Sequence, residues 1–182
     1  MITASLSGPM VLRSLRLNAV TREYSRLWSN LPPLQDKAQT WTGGINYPGR
    51  RALGDVKLEW TPDAPLRRAS DRRQAQVEID AIVALSLGIT ADELCTTYRT
   101  QFPVLYGYDR REYLYDANGR LVPMPVQQVW RKKGDAISEE ERTHINASGN
   151  RYVYELPFVN LDREADMRTA YEYFERVLQE RS

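Results

Sequence analysis

Apolar residues recur at three- and four-residue spacing in three stretches of this chain, and each stretch reads as an amphipathic helix with one face toward a core. From Met10 to Trp28 the stripe is Leu17, Val20, Tyr24, Leu27 and Trp28, with Arg13, Arg16, Arg22 and Glu23 on other faces. From Ser70 to Leu87 it is Val77, Ile79, Ile82, Val83 and Leu87; Ser70 or Asp71 is placed to cap the first turn, and Gly88 to supply the left-handed position after the last. From Arg163 to Glu180, behind Asp162 as N-cap, it is Met167, Ala170, Tyr171, Phe174 and Leu178. A further helix begins at Ala91, where Thr90 and Glu93 have capping-box spacing. It must stop before Pro103, because proline restricts Phe102 and lacks an amide proton.

Elsewhere the period changes. "EYLYDANGRLVP" reads as two short strands joined through Asn118-Gly119, the dipeptide favoured where a tight hairpin needs positive φ angles. Val126 to Trp130 reads as a third strand or a loop, Ser138 with Glu141 as the start of a short charged helix carrying an exposed His144, and "RYVYELPF" as an alternating strand. From Leu31 to Pro65 the pattern dissolves into Pro, Gly and Asp punctuation with one short strand at Asp55 to Trp60, yet Trp41, Tyr47 and Trp60 make the segment too aromatic for a flexible linker.

Together these elements predict a single α+β domain of several packed helices with a small antiparallel sheet around Tyr113 to Val122 and Tyr152 to Leu156. Residues 1–30 form an N-terminal helix packing on the core, 31–65 an irregular aromatic connector, and 66–182 the α+β core with its C-terminal helix. Expected core members are Leu17, Tyr24, Ile79, Ile82, Val83, Leu87, Leu94, Tyr98, Phe102, Phe158, Met167 and Phe174.

Charge narrows the functions. The 25 Lys and Arg nearly cancel 24 Asp and Glu, so any attraction to nucleic acid has to be local. No apolar run approaches the roughly 20 residues that span a bilayer, the start lacks the charged and apolar regions of a signal peptide, and the single cysteine makes no intrachain disulfide, so a cytoplasmic protein without a membrane partner is expected.

Catalytic chemistry finds few footholds. One histidine, His144, and one cysteine, Cys95, do not supply a nucleophile–base pair with an orienting group or a zinc cluster, and Cys95 reads as a small apolar residue of the third helix. "GDVKLEW" sets Asp55, Lys57 and Glu59 in the order of a metal-dependent nuclease strand, although alternating charge on a half-exposed strand gives the same pattern. Asp162, Glu164 and Asp166 fit a helix start, where acidic groups complement the macrodipole. "TGGINYPG" precedes no helix placed to bind a phosphate, and no nucleotide-binding spacing occurs, so neither cofactor nor metal is expected.

Basic and aromatic residues give the strongest signal. Arg67, Arg68, Arg72 and Arg73 crowd the approach to the second helix, while Arg99, Arg110, Arg111 and Arg120 alternate with Tyr98, Tyr106, Tyr108, Tyr113 and Tyr115. Guanidinium forks match phosphate oxygens and tyrosine rings stack on bases, although local ion pairs and cross-strand packing use the same residues. Arg110 and Arg111 are expected at the entrance to the Asn118-Gly119 hairpin, with Tyr113 and Tyr115 on one strand face in a structural role.

The stretch "DRRQAQVEIDAIVALSLGITADELCTTYRTQFPVLYGYDRREYLYDANGRLVP", together with "LRSLRLNAVTREYSRLW" and "LPFVNLDREADMRTAYEYFE", resembles the C-terminal region of type IIG-like bacterial restriction-modification proteins that contain an adenine-specific DNA methylase. The resemblance implies a region trailing a methylase core and helping to recognise or hold DNA. It implies no catalysis here, since the chain has neither the Asn-Pro-Pro-aromatic tetrapeptide nor the glycine-rich loop that binds S-adenosylmethionine. The expected function is therefore a non-catalytic DNA-associated module of a restriction-modification or phage-defence system, with double-stranded DNA as partner. The rival is a scaffold domain docking on a methylase or nuclease core through Trp41, Tyr47 and Trp60, and a small nuclease using Asp55, Lys57 and Glu59 comes third.

Overall fold

The computed structural model describes residues 4–30 and 39–180, so the first part of the predicted connector, 31–38, lies outside the described residues. The chain forms α1 (Ala4–Asn18), α2 (Ser25–Ser29), α3 (Ala69–Leu87), α4 (Ala91–Gln101), α5 (Pro103–Arg111), β1 (Leu114–Tyr115), α6 (Met124–Lys133), β2 (Thr143–Ile145), β3 (Arg151–Val153), β4 (Val159–Asn160) and α7 (Arg163–Glu180). This is the expected α+β class, with two antiparallel strand pairs, β1 with β4 and β2 with β3.

Helix α3 is central and packs along α7, with α1 laid across both and α4 closing one side. Its apolar stripe is built largely from small residues: Val77, Ala81, Ile82 and Ala84 are buried, and the first three pack with Leu6 of α1, Cys95 and Tyr98 of α4, and Met167, Ala170 and Phe174 of α7. Gly88 ends α3 in the left-handed conformation at φ 71°, and the Thr90–Glu93 capping box starts α4, both as the sequence predicts. A second cluster joins Leu12, Leu15 and Ala19 to Trp28, Leu53 and Ala64, and a third joins Leu114, Val122 and Val126 to Ile137, Tyr154 and Phe158.

The first helix differs most from expectation. It runs earlier and stops at Asn18; Ala19 to Thr21 break it, and Val20, Tyr24 and Leu27 are exposed instead of buried. The break is made by distant donors that take the helix's last carbonyls: Leu66 N bonds to Arg16 O at 2.7 Å, Arg72 Nη1 to Leu17 O at 3.0 Å, Trp60 Nε1 to Ala19 O at 2.8 Å and Arg67 Nη2 to Val20 O at 3.1 Å. Arg13 and Arg16, assigned to outer faces by periodicity, are buried. Arg16 gives Nε to Ala64 O at 2.9 Å and Nη1 to Leu53 O at 2.7 Å, holding the connector against α1, and burial lowers its pKa to about 10.

Arg13 donates Nε to Glu78 at 2.5 Å, Nη1 to Pro9 O and Gln39 Oε1, and Nη2 to Thr40 O, with its guanidinium 5.0 Å from the Phe174 ring centroid. The other oxygen of Glu78, a residue with no solvent exposure, accepts from Thr42 N, Thr42 Oγ1 and Gln74 Nε2. One ion pair therefore ties α1, α3 and the connector together over α7.

Other expectations are corrected. No strand forms at residues 55–60. Neither Ser70 nor Asp71 caps α3, because Arg68 holds the cap position and Asp71 instead accepts from Tyr47 Oη and from Arg50 Nε at 2.9 Å. Pro103 opens α5 at its first turn, where the missing amide proton costs nothing, and Val126 to Trp130 belong to α6. Ser138 and Glu141 exchange the predicted reciprocal bonds, yet the chain turns there and leads into β2, so His144 lies on a strand opposite Tyr152. The hairpin at Asn118-Gly119 survives as a single bridge, Tyr115 to Leu121, because β1 takes β4 as its main partner. Leu87 and Phe102, expected in the core, are exposed, and Ile79, Val83 and Leu94 are half-buried.

Replacing Glu78 by Leu strands the Arg13 guanidinium and is expected to cost about 3–5 kcal/mol, with much of the loss recovered in Arg13→Met/Glu78→Leu. Chemical denaturation of the variants checks this, and equal losses in the single and double variants would assign the effect to volume instead of charge. Ile82→Lys, at a fully buried position, is expected to abolish the cooperative transition, whereas Leu87→Lys, at a site 66% exposed, should stay within about 0.5 kcal/mol of the parent.

Candidate functional site

Asp116 has no solvent exposure and organises the turn that follows β1. Its Oδ1 accepts from Asn118 N at 3.0 Å and Arg120 N at 2.8 Å; its Oδ2 accepts from Arg120 Nε at 2.8 Å, Arg120 Nη2 at 2.6 Å and Glu155 N at 3.2 Å. A short acid at the head of Asp-Ala-Asn-Gly-Arg thus folds the turn onto itself and fixes the last side chain. Gly119, at φ 72°, then docks on the first turn of α3, accepting from Ser70 N at 3.1 Å. A Cβ at Gly119 would collide with Ser70 Oγ and press the Tyr47 ring at 3.1 Å, so glycine is required both for conformation and for closeness.

This docking brings Arg120 beside the start of α3. An open cleft of about 490 Å³ is lined by Arg67, Arg68 and Arg120 with Tyr152 and Tyr154, and by Ala69 and Leu121. None of these lining residues is acidic. The Arg120 guanidinium lies 5.0 Å from the Tyr154 ring and 5.9 Å from the Tyr152 ring, and it also donates to Val153 O at 2.5 Å. Arg67 is exposed and donates only to the Val20 and Pro62 carbonyls; Arg68 is exposed over the Tyr47 ring at 5.5 Å. Among the described residues neither pairs with a carboxylate. Among the described residues the cleft offers two guanidinium groups without a carboxylate partner and a third anchored on Asp116, all beside aromatic faces, an arrangement that attracts anions and planar groups.

Of the eight arginines singled out from the sequence, these three come together. Arg72 is spent on the Leu17 and Leu66 carbonyls. Arg73 is buried, 2.6 Å from Asp166 and 3.2 Å from Leu161 O, and has no face for a ligand. Arg99 pairs with Glu164 at 2.5 Å. Arg110 and Arg111 stand in the last turn of α5 and line no part of the cleft; Arg110 folds over Tyr106, 5.3 Å from its ring centroid. Tyr115 is buried, which pushes its hydroxyl up to about 12, and Tyr113 stacks on Tyr108 with centroids 5.6 Å apart.

The connector aromatics turn inward. Trp41 donates Nε1 to Arg51 O at 3.0 Å with the Arg50 guanidinium 4.6 Å from its ring, Trp60 packs on the Leu12–Trp28 cluster, and Tyr47 bonds to Asp71. Burial, followed by that hydrogen bond, raises the Tyr47 pKa. They contribute to an internal interface, each half-buried.

Asp55, Lys57 and Glu59 are exposed in an irregular segment, and among the described residues no group of three His, Cys, Asp or Glu is placed to hold a metal ion. The acids around α7 take separate duties: Asp162 caps the helix, Glu164 meets Arg99 and Asp166 meets Arg73. Cys95 is buried, and burial raises its thiol pKa. Tyr152, Tyr154 and Asp116 were not among the candidates from sequence. The two-residue spacing of the tyrosines in "RYVYELPF" placed them on one strand face, but nothing local said which face met Arg120.

Compared with known proteins, the chain matches no protein-family model, no curated protein and no solved structure.

Proposed function

We propose that this chain is a non-catalytic, cytoplasmic DNA-associated module of a restriction-modification or phage-defence system, and that it meets duplex phosphates at the cleft between α3 and β3. The observation that carries the reading is the convergence of Arg67, Arg68 and Arg120 on one open cleft with no acidic lining residue. The adjacent Arg67 and Arg68, joined by Arg120 from a distant part of the chain, meet neighbouring phosphates better than the same charges spread over a neutral surface. Tyr152, partly exposed at the mouth, adds a hydroxyl donor and a flat face.

The resemblance of the segments around α1, α3–β1 and α7 to the C-terminal region of methylase-containing restriction proteins supports the same reading. There the chemistry resides in the methylase and the trailing region holds DNA. The nuclease alternative loses its support because Asp55 and Glu59 meet no third carboxylate among the described residues.

Anisotropy titration of a labelled duplex at several salt concentrations tests the proposal. Arg67→Ala/Arg68→Ala is expected to weaken binding to any duplex sequence and to lower the salt slope by about 1.8, from two lost phosphate contacts, while the protein keeps its cooperative transition with only a small drop in melting temperature from the lost Arg67 carbonyl bonds. Arg110→Ala/Arg111→Ala should leave both affinity and slope unchanged. An unaltered slope in the first variant overturns the cleft assignment, and a reduced slope only in the second would move the phosphate contact to α5.

A further inference from the structure

The elbow between α4 and α5 exposes apolar surface that the fold does not use. Phe102, Val104 and Tyr108 are 56%, 70% and 46% exposed, and with Leu105 they line a shallow groove of about 390 Å³. Phe102 closes α4 at φ −124° and ψ 51° and Pro103 opens α5 immediately, so the chain turns too sharply for the Phe102 ring to reach the core.

Along α5, Val104, Tyr108 and Arg111 fall on one face at four- and three-residue spacing. The Arg111 guanidinium folds back toward Gly107, where an added Cβ would lie 3.0 Å from it. Among the described residues Arg111 has no carboxylate partner; the nearby Glu112 is taken by Arg131 at 3.3 Å, and at the other end Arg99 is taken by Glu164. The α5 face that lines the groove therefore continues, one turn beyond Tyr108, into a cation with no carboxylate partner among the described residues, and none of the groove's lining residues is acidic.

We propose that this groove docks an amphipathic, acidic helix of a partner protein, whose apolar residues cover Phe102, Val104 and Tyr108 and whose Asp or Glu meets Arg111. A second copy meeting groove to groove fits less well: it would bring another Arg111 and no acid from the groove lining, so two cations would be desolvated without a counter-charge. A helix presenting apolar anchors at i, i+4 and i+7 with a carboxylate beyond them sets its apolar face on Phe102, Val104 and Tyr108 and its acid against Arg111. This inference is independent of the DNA reading, since none of the groove residues lines the arginine cleft.

The probes are two synthetic helical peptides of about 15 residues, roughly four turns, with identical leucine faces and either Glu or Lys on the flanks, plus a scrambled Glu peptide. Fluorescence polarisation with the full chain is expected to show saturable binding of the Glu helix only. Val104→Asp should weaken it about tenfold or more, and Arg111→Glu should reverse the preference toward the Lys helix. Neither substitution should alter duplex affinity. Absence of saturable binding, equal binding of the Glu and Lys helices, equal binding of the scrambled peptide, or indifference to Val104→Asp overturns the proposal. Concentration-dependent dimerisation abolished by Val104→Asp would also overturn it, assigning the groove to a second copy.

Discussion

The ion pair between Arg13 and Glu78 is the constraint around which the helices are arranged. Two opposite charges with essentially no solvent exposure are tolerated only when further hydrogen bonds support them, and here Gln39, Thr40 and Thr42 of the connector supply these together with Pro9 and Gln74. The connector is thus held in place by the electrostatic demands of the helices it joins. Arg16 repeats the device one turn later with the Leu53 and Ala64 carbonyls. Over its described residues, 39–65, this irregular segment acquires a defined path because buried cations require its oxygens.

A second carboxylate, Asp116, plays the corresponding part at the first turn of α3. By gathering three backbone amides and the Nε and Nη2 donors of Arg120 it turns a weak two-residue hairpin into a rigid corner. Gly119 then lets that corner approach α3 closely enough for Arg120 to stand beside Arg67 and Arg68. The cleft's charge is therefore a product of tertiary docking: its residues come from the α3 entry, the turn after β1, and β3.

Helix bodies were legible in the sequence wherever local signals sufficed: the Thr90–Glu93 box, Gly88, Asp162 and the Met167–Phe174 stripe all landed where periodicity and capping put them. The errors share a cause. Periodicity treats arginine as a surface residue, so it misplaced Arg13 and Arg16, and the basic cluster expected at DNA took in Arg73; the partners of all three lie far along the chain. It also extended the first helix through Ala19–Thr21, where side chains of Arg72, Trp60 and Arg67 claim the carbonyls. Phe102 and Leu87 were placed inside on hydrophobicity alone, although the sharp turn at Pro103 and the end of α3 leave them outside. For the site, residue types were legible but membership was not, since nothing in the order of residues distinguishes Arg120 beside a strand's tyrosines from Arg111 on a helix.

The connector's dependence on buried charge also changes what counts as a separable unit. Composition draws a boundary near residue 66, and a piece starting there would retain Arg67, Arg68, Arg120, Tyr152 and Tyr154. That piece would leave Glu78 without Arg13 and Thr42, Arg72 without the Leu17 carbonyl, and the α3–α7 surface without Leu6. Grafting the cleft onto another scaffold would accordingly require carrying the first helix and the connector with it, although neither lines the cleft.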